Sequence, residues 1–222
     1  MKKYNLKSPT ESPYRTLPHM VTNSLREAIL TGELSGGFQL KQEELASRFN
    51  VSLSVLREAL KNLEAEGLVK FYPNRGAVVA VLSADEAQEI FDIRLFLELG
   101  ALELAIPNLT EEDFIAADGI LQEADHILQN SQVGVLNWRF HETLYRPARR
   151  PKLLALIHNM HNNVERYMRI YLSTMNYQTK SQQEHRDLLS ACIQRDTKAA
   201  QDLLRCHMAE ASSSLAGYLS QP

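Results

Sequence analysis

Three of the seven histidines fall on apolar faces of three different predicted helices. His141, in "NWRFHETLY" (137–145), shares a face with Leu136, Asn137, Phe140 and Leu144. His185 sits with Leu188, Leu189 and Cys192, and His207 with Leu203, Leu204 and Ala211. One histidine on such a face is more often a satisfied core side chain. Three on separate inward faces each need a buried partner. Imidazoles converging from facing helices are a recurrent way to hold a metal ion inside a bundle. Three readings are open on this pattern: metal coordination, a metal-free pocket in which the same groups touch a small effector, or core packing. His158 and His161, in "HNMHNN", have i, i+3 spacing, and their polar neighbours point to an exposed face. Cys206 lies beside His207 but about 100° away around a helix, so it is not expected to be a ligand.

A second group of residues has the make-up of a nucleic-acid contact. If Leu56, Leu60 and Leu63 are the buried face of one helix, its opposite face shows Leu53, Ser54, Arg57 and Lys61. The N-terminal residues of such a helix can meet bases and phosphates in a major groove. Arg57 could grip guanine with two hydrogen bonds, Ser52 and Ser54 could bind phosphate or base edges, and Lys61 adds backbone attraction. Asn74 and Arg75 lie in a turn that can reach an adjacent minor groove or phosphate. The plainer alternative is that Arg57 and Glu58 are solvated helix charges.

The elements that must position these residues follow from the spacing. Val21, Leu25, Ile29 and Leu30 predict a helix over 17–30. "TGELSGGF" (31–38) breaks it, "KQEELASRF" (41–49) is a second helix, and "NVS" (50–52) is a tight turn whose serine can cap the next helix. The third helix stops at Gly67. Residues 68–82 predict two short strands around Pro-Asn-Arg-Gly. Three helices and a β-hairpin make a winged helix-turn-helix. Beyond residue 83 no further strand is expected. "SADE", "TEED" and "SQQE" match capping boxes that start helices of about 84–105, 110–129 and 182–195. Pro147 and Pro151 separate helices at about 132–146 and 152–174, and Asp196 caps a last one at about 197–219. The expected fold is mostly α. It has a flexible tail (1–17), a winged helix-turn-helix DNA-binding domain with a small hairpin wing (18–82), and an all-α effector-binding and dimerisation bundle (83–222).

Composition limits the function classes. Hydrophobic residues are 44% and charged residues 23% of 222, enough for real cores. No apolar run is long enough to span a membrane, and the polar N-terminus has no secretory h-region. Cys192 and Cys206 form no framework, which fits a reducing cytoplasm. Residues 1–82 carry 11 Lys+Arg against 8 Asp+Glu, and residues 83–222 carry 13 against 19. That asymmetry suits a nucleic-acid-binding front on an acidic body.

"VSLSVLREALKNLEAEGLV" followed by "PNRGAVVAV" resembles the DNA-binding domain of GntR-type bacterial transcription regulators. The helical remainder resembles the FCD effector domain of the FadR-like branch, so the likeness covers about residues 18–219. It implies a homodimer on a palindromic double-stranded DNA operator, responding to a small carboxylate effector. The chain departs from the family pattern at Leu53, where arginine is common, and at Val55, where proline is common. Leu53 could instead touch a thymine methyl. One subgroup of FCD domains holds a divalent metal through Asp-x-x-x-His and a histidine on each of two later helices. The resemblance implies His141, His185 and His207 as ligands, with Asn137 where the aspartate usually stands. Such a set is all neutral, so zinc or nickel suits it better than manganese or magnesium. Arg94 in "IFDIRLFLELG" matches the Arg-x-x-x-Glu of the first effector helix. It could bind an effector carboxylate bidentately or pair with Glu98 along the helix.

Two other readings remain at this stage. A direct metal sensor would keep the DNA-binding half and make the ion the signal. A helical metal-dependent enzyme would need a general base near the ion. Glu142 and Glu184 neighbour the histidines but are expected to point off the apolar face, and an enzyme leaves residues 18–82 without a purpose.

Overall fold

The computed structural model describes residues 16–126, 130–174 and 177–220. Two hydrophobic clusters organise it. The first is built from α1 (Leu17–Leu30), α2 (Gln42–Phe49), α3 (Leu53–Ala65) and a small sheet. Thr16 caps α1 by accepting from the His19 amide, and Pro18 occupies its first turn, where a missing N–H costs nothing. Asn50 ends α2 in the left-handed conformation, and Ser52 caps α3 by accepting from the Val55 amide. Leu56, Leu60 and Leu63 of α3 are fully buried against α1, each contributing about 1.5–3 kcal/mol of apolar burial.

The wing differs from the expected hairpin. Strands β2 (Val69–Tyr72) and β3 (Gly76–Val79) pair antiparallel as the spacing predicts, with Asn74 and Gly76 at positive φ in the turn. A third strand, β1 (Gln39–Leu40), pairs with the other edge of β3, giving the order β1-β3-β2. Two residues are too few to show an alternating pattern. β1 exists because β3 offers an unpaired edge.

The second cluster is a bundle of α4 (Ala84–Ala105), α5 (Glu111–Asp125), α6 (Asn130–Tyr145), α7 (Pro151–Thr174), α8 (Tyr177–Ile193) and α9 (Thr197–Leu219). Complete capping boxes start α4 (Ser83 with Glu86) and α5 (Thr110 with Asp113), and Asp196 caps α9. "SQQE" is not a helix start: α8 begins a turn earlier, and Ser181 lies inside it, on the wall of an internal cavity. The expected tail falls mostly on residues 1–15, and the expected end of the fifth helix on 127–129, both outside the described residues.

The two parts meet along α7. Gly67 takes φ +78°, a conformation that L side chains rarely adopt, and a Cβ there would press on the Asn163 carboxamide of α7. The Leu82 amide donates to the Tyr167 hydroxyl at 2.7 Å, and Lys70 pairs with Glu86 at 2.8 Å. Arg26 of α1 grips Glu66, at the end of α3, through two nitrogens at 2.7 and 2.6 Å.

Candidate functional site: a histidine-lined cavity behind a DNA-reading face

His141 on α6, His185 on α8 and His207 on α9 are all buried and face one another. Their ring centroids are 5.0 Å (141–185), 5.5 Å (141–207) and 4.7 Å (185–207) apart. One ligand nitrogen from each lies within 4.8 Å of the others. Separate partners orient the three rings. The Tyr145 hydroxyl donates to Glu98 Oε2 at 2.7 Å, so its oxygen is left to accept from His141 Nδ1 at 3.1 Å. Glu98 Oε1 accepts from Arg94 Nε at 2.9 Å. His207 Nδ1 donates to Glu184 Oε2 at 2.7 Å, and His185 Nδ1 to Gln182 Oε1 at 3.4 Å. The Gln182 amide is itself turned by donating to the Leu121 carbonyl.

Every Nδ1 therefore faces an acceptor and carries the proton. In His141 and His185, Nε2 is left as the lone-pair nitrogen. His185 Nε2 is buried without any hydrogen-bond partner. Burial pushes His141 and His185 well below the usual imidazole range, and the neighbouring imidazoles push the same way, so both are neutral. Imidazoles whose ring nitrogens meet inside a bundle suit a divalent metal, and second-sphere acceptors on Nδ1 are its usual support. The residues fit such an ion. Three nitrogen donors suit zinc or nickel better than oxygen-seeking ions.

The sequence placed these histidines on inward faces but misjudged their neighbours. Glu184, expected to point away, reaches His207, which lowers the Glu184 carboxyl below its ordinary range. His161, expected on an exposed face, is buried and contacts Glu165 Oε2 through Nε2 at 3.1 Å. His158 is half-buried, its ring 4.5 Å from that of Trp138. The "HNMHNN" run reads as polar, yet α7 turns 158 and 161 toward Trp138 of α6. Arg94 makes the expected pair with Glu98 in the buried interior, and it also lines the cavity. Asn137 lines that cavity one turn before His141, and Cys206 is exposed. No sequence signal marked Tyr145, Glu165 or Gln182. Each acts through a residue on another helix or a turn away, and only the packing brings them together.

The cavity measures about 70 Å³, and Phe91, Ile120, Leu136 and Met208 supply its apolar wall. On the other domain, Ser52, Leu53, Ser54, Arg57, Lys61, Asn74 and Arg75 are all exposed. Leu53, Arg57, Asn74 and Arg75 border one groove between the start of α3 and the wing tip. Ser52 bonds Ser54 across their hydroxyls at 2.8 Å, and Arg57 Nε donates to Gln42 Oε1 at 2.9 Å. Gln42, at the start of α2, was not singled out by the sequence. It holds the arginine from fifteen residues away.

An exposed recognition helix and wing, joined to a bundle with a polar-lined internal cavity, define a winged helix-turn-helix regulator with a sensory domain. The gntR family profile of bacterial regulatory proteins matches residues 17–79, and the FCD domain profile matches 89–210. The HTH-type transcriptional regulator YdhC of Bacillus subtilis (strain 168) is 29% identical over 190 residues, 83% of this chain and 84% of the relative. The crystal structure of a GntR-family regulator from Pseudomonas syringae pv. tomato DC3000 is 33% identical, with a TM-score of 0.59 over 94% of this chain and 88% of that one. E. coli McbR/YncC shares the fold, with a TM-score of 0.79 at 23% identity over 91% of this chain and 98% of that one. The chain belongs to the gntR family of bacterial regulatory proteins and carries an FCD domain: it is a DNA-binding transcription regulator. Among the described residues no helix is long and apolar enough to cross a membrane.

Proposed function

We propose that the protein is a ligand-responsive regulator that binds a palindromic operator as a homodimer and is controlled by a small organic acid taken up in the bundle cavity. The observation that carries this reading is the convergence of His141, His185 and His207, all buried, with His185, His207, Asn137 and Arg94 lining one cavity. These histidines and Asn137 would hold a divalent metal, zinc or nickel before manganese. Such an ion supplies positive charge and open coordination positions for a carboxylate. Arg94 keeps the cavity end of its guanidinium available while Glu98 fixes its Nε, so an acid meets an arginine held in place.

On the DNA side, Arg57, held by Gln42, would read guanine. Ser52, Ser54 and Lys61 would contact phosphate or base edges, Leu53 a thymine methyl, and Asn74 and Arg75 the adjacent groove. A second copy of the chain would cover the apolar stripe on α4, where Phe96 is 77% exposed between Ile93 and Leu104. Gly100 leaves open space in the middle of that stripe. Two recognition helices in successive major grooves would follow from a two-fold dimer. An acid that binds one arrangement of the two DNA-binding domains better than another shifts the balance between them. The contacts along α7 are where such a shift would be felt.

The test is the elemental content of untagged protein purified without chelator, by inductively coupled plasma mass spectrometry, alongside His185→Ala. About one zinc or nickel per chain, lost in the variant, supports the metal site. No metal in either protein, even after incubation with each ion and desalting, would refute it and leave the histidines as direct effector contacts or core.

A further inference from the structure

Two side chains of the short stretch that joins β1 to α2 reach the two DNA-reading elements. Gln39 of β1 donates through Nε2 to the Arg75 carbonyl at the wing tip, at 2.7 Å, across thirty-six residues of sequence. Gln42, the first residue of α2, accepts from Arg57 Nε of α3 through Oε1 at 2.9 Å. Leu40, between them, is buried and pairs with Ala77 of β3, so the stretch is anchored in the core. Both glutamines border the groove that Leu53, Arg57, Asn74 and Arg75 share.

Each bond restrains a group that would otherwise turn freely. Arg57 is exposed, and an arginine has several rotatable bonds whose freedom is lost on binding. Fixing Nε leaves Nη1 and Nη2, a two-pronged end that can grip guanine O6 and N7. At the wing, Arg75 stands between Asn74 at φ 64° and Gly76 at φ 68°, and the Gln39 amide holds the carbonyl that joins residues 75 and 76. The stretch itself is not built to attract phosphate. Lys41 is outnumbered there by Glu43 and Glu44, all three exposed on the same groove. A segment without net positive charge adds little to sequence-independent affinity, and its two carboxamides are neutral.

We propose that Gln39 and Gln42 are positioning residues for operator recognition. Gln42 aims Arg57 at a guanine in the major groove, and Gln39 fixes the wing tip that carries Arg75 to the base pairs beside it. The anchored stretch between them sets the distance between the two readings. This rests on the reading of Arg57 and Arg75 as DNA contacts, and it assigns sequence preference to two residues that act through those arginines.

Fluorescence anisotropy with the full-length protein tests it on three kinds of DNA: an operator selected from a randomised duplex library, that operator substituted one base pair at a time, and an unrelated duplex. Arg57→Ala and Arg75→Ala first mark the base pairs that each arginine reads. Gln42→Met keeps the length of the side chain and loses the acceptor. It should lower the preference at the Arg57 base pairs about two- to tenfold, the cost of ordering one long side chain, and leave the Arg75 base pairs alone. Gln39→Met should do the converse. Gln42→Glu keeps an acceptor for Nε and adds a negative charge, so it should retain the Arg57 preference while weakening binding to every duplex. Neither methionine variant should change the affinity for the unrelated duplex or its salt slope, the sign that fold and phosphate contacts are intact. A wild-type preference in either methionine variant overturns the role given to that glutamine. Uniform weakening on all duplexes, with preferences unchanged, also overturns the proposal and makes the glutamines backbone contacts. A preference lost as fully in Gln42→Glu as in Gln42→Met overturns the part given to the Nε bond. If Arg57→Ala and Arg75→Ala alter no preference, the reading of the two arginines fails, and this proposal with it.

Discussion

Tyr145→Phe isolates the contribution of one hydroxyl to the histidine site. That oxygen bonds Glu98 at 2.7 Å and His141 at 3.1 Å, and all three residues are at most 2% exposed. The substitution keeps the ring, so it opens no methylene-sized void, but it strips a bond from a buried carboxylate and leaves the His141 Nδ1–H with no acceptor. A hydrogen bond to a charged group is worth about 1.5–3 kcal/mol, and an unsatisfied buried donor costs about 1–3 kcal/mol. The two terms share one atom and do not add fully, so a loss of about 2–4 kcal/mol is expected. For a chain of this length that corresponds to a fall in Tm of roughly 4–16 °C. The same change frees the ring that the network turns toward His185 and His207. Zinc affinity should therefore fall about 10–100-fold, the usual cost of losing an outer-sphere partner. Urea unfolding of metal-free protein reads the first effect, and competition with a chromophoric chelator reads the second. A stability change under about 0.5 kcal/mol with unaltered zinc affinity refutes the reasoning on both counts. A large stability loss with zinc affinity intact would mean that the Arg94–Glu98–Tyr145 network is structural and does not orient His141.

Three further expectations follow from the geometry. Gly134→Ala should displace the Glu165 carboxylate from its seat against position 134 at little net cost, because that flexible side-chain end can swing away while alanine favours helix α6 by about 1 kcal/mol; a loss in the urea midpoint worth more than about 3 kcal/mol would show that Glu165 cannot leave its seat. Metal-free protein should lose stability as pH falls below about 6.5. The unfolded chain then takes up protons at His141 and His185 that the folded chain refuses, at up to about 1.4 kcal/mol per pH unit for each histidine, with no such slope above that pH. Urea midpoints that stay level from pH 7.5 to 5.5 would contradict this. Arg57→Ala should weaken binding to a selected operator by about 1–3 kcal/mol and relax its sequence preference. Lys61→Ala should weaken binding to all DNA alike and reduce the salt slope by about one, and fluorescence anisotropy at several salt concentrations separates the two.

Periodicity and local chemistry made much of this protein legible from its sequence. Leu56, Leu60 and Leu63 at helical spacing named the buried face of α3 and so its exposed face. Ser83 with Glu86, Thr110 with Asp113, and Asp196 marked real helix starts. Caps and amphipathic stripes are local effects, set by residues within a turn or two of one another, and a linear reading sees them. The same reading put His141, His185 and His207 on inward faces. Only the packing decided that they meet, because convergence depends on the relative rotation of α6, α8 and α9. The errors share that cause. His161 sits in a polar run yet is buried, since α7 crosses α6 at Trp138. Glu184 looked like a solvent-facing neighbour yet reaches His207 on another helix. β1 has no pattern of its own and forms on a borrowed edge. Glu165 carries no motif, and its place in the cavity comes from a glycine thirty-one residues earlier. Local free energies determined which helices form and which faces they bury. The partners of the buried polar groups were fixed only when the helices packed, where each donor left without an acceptor costs free energy that no nearby residue in the sequence can offset.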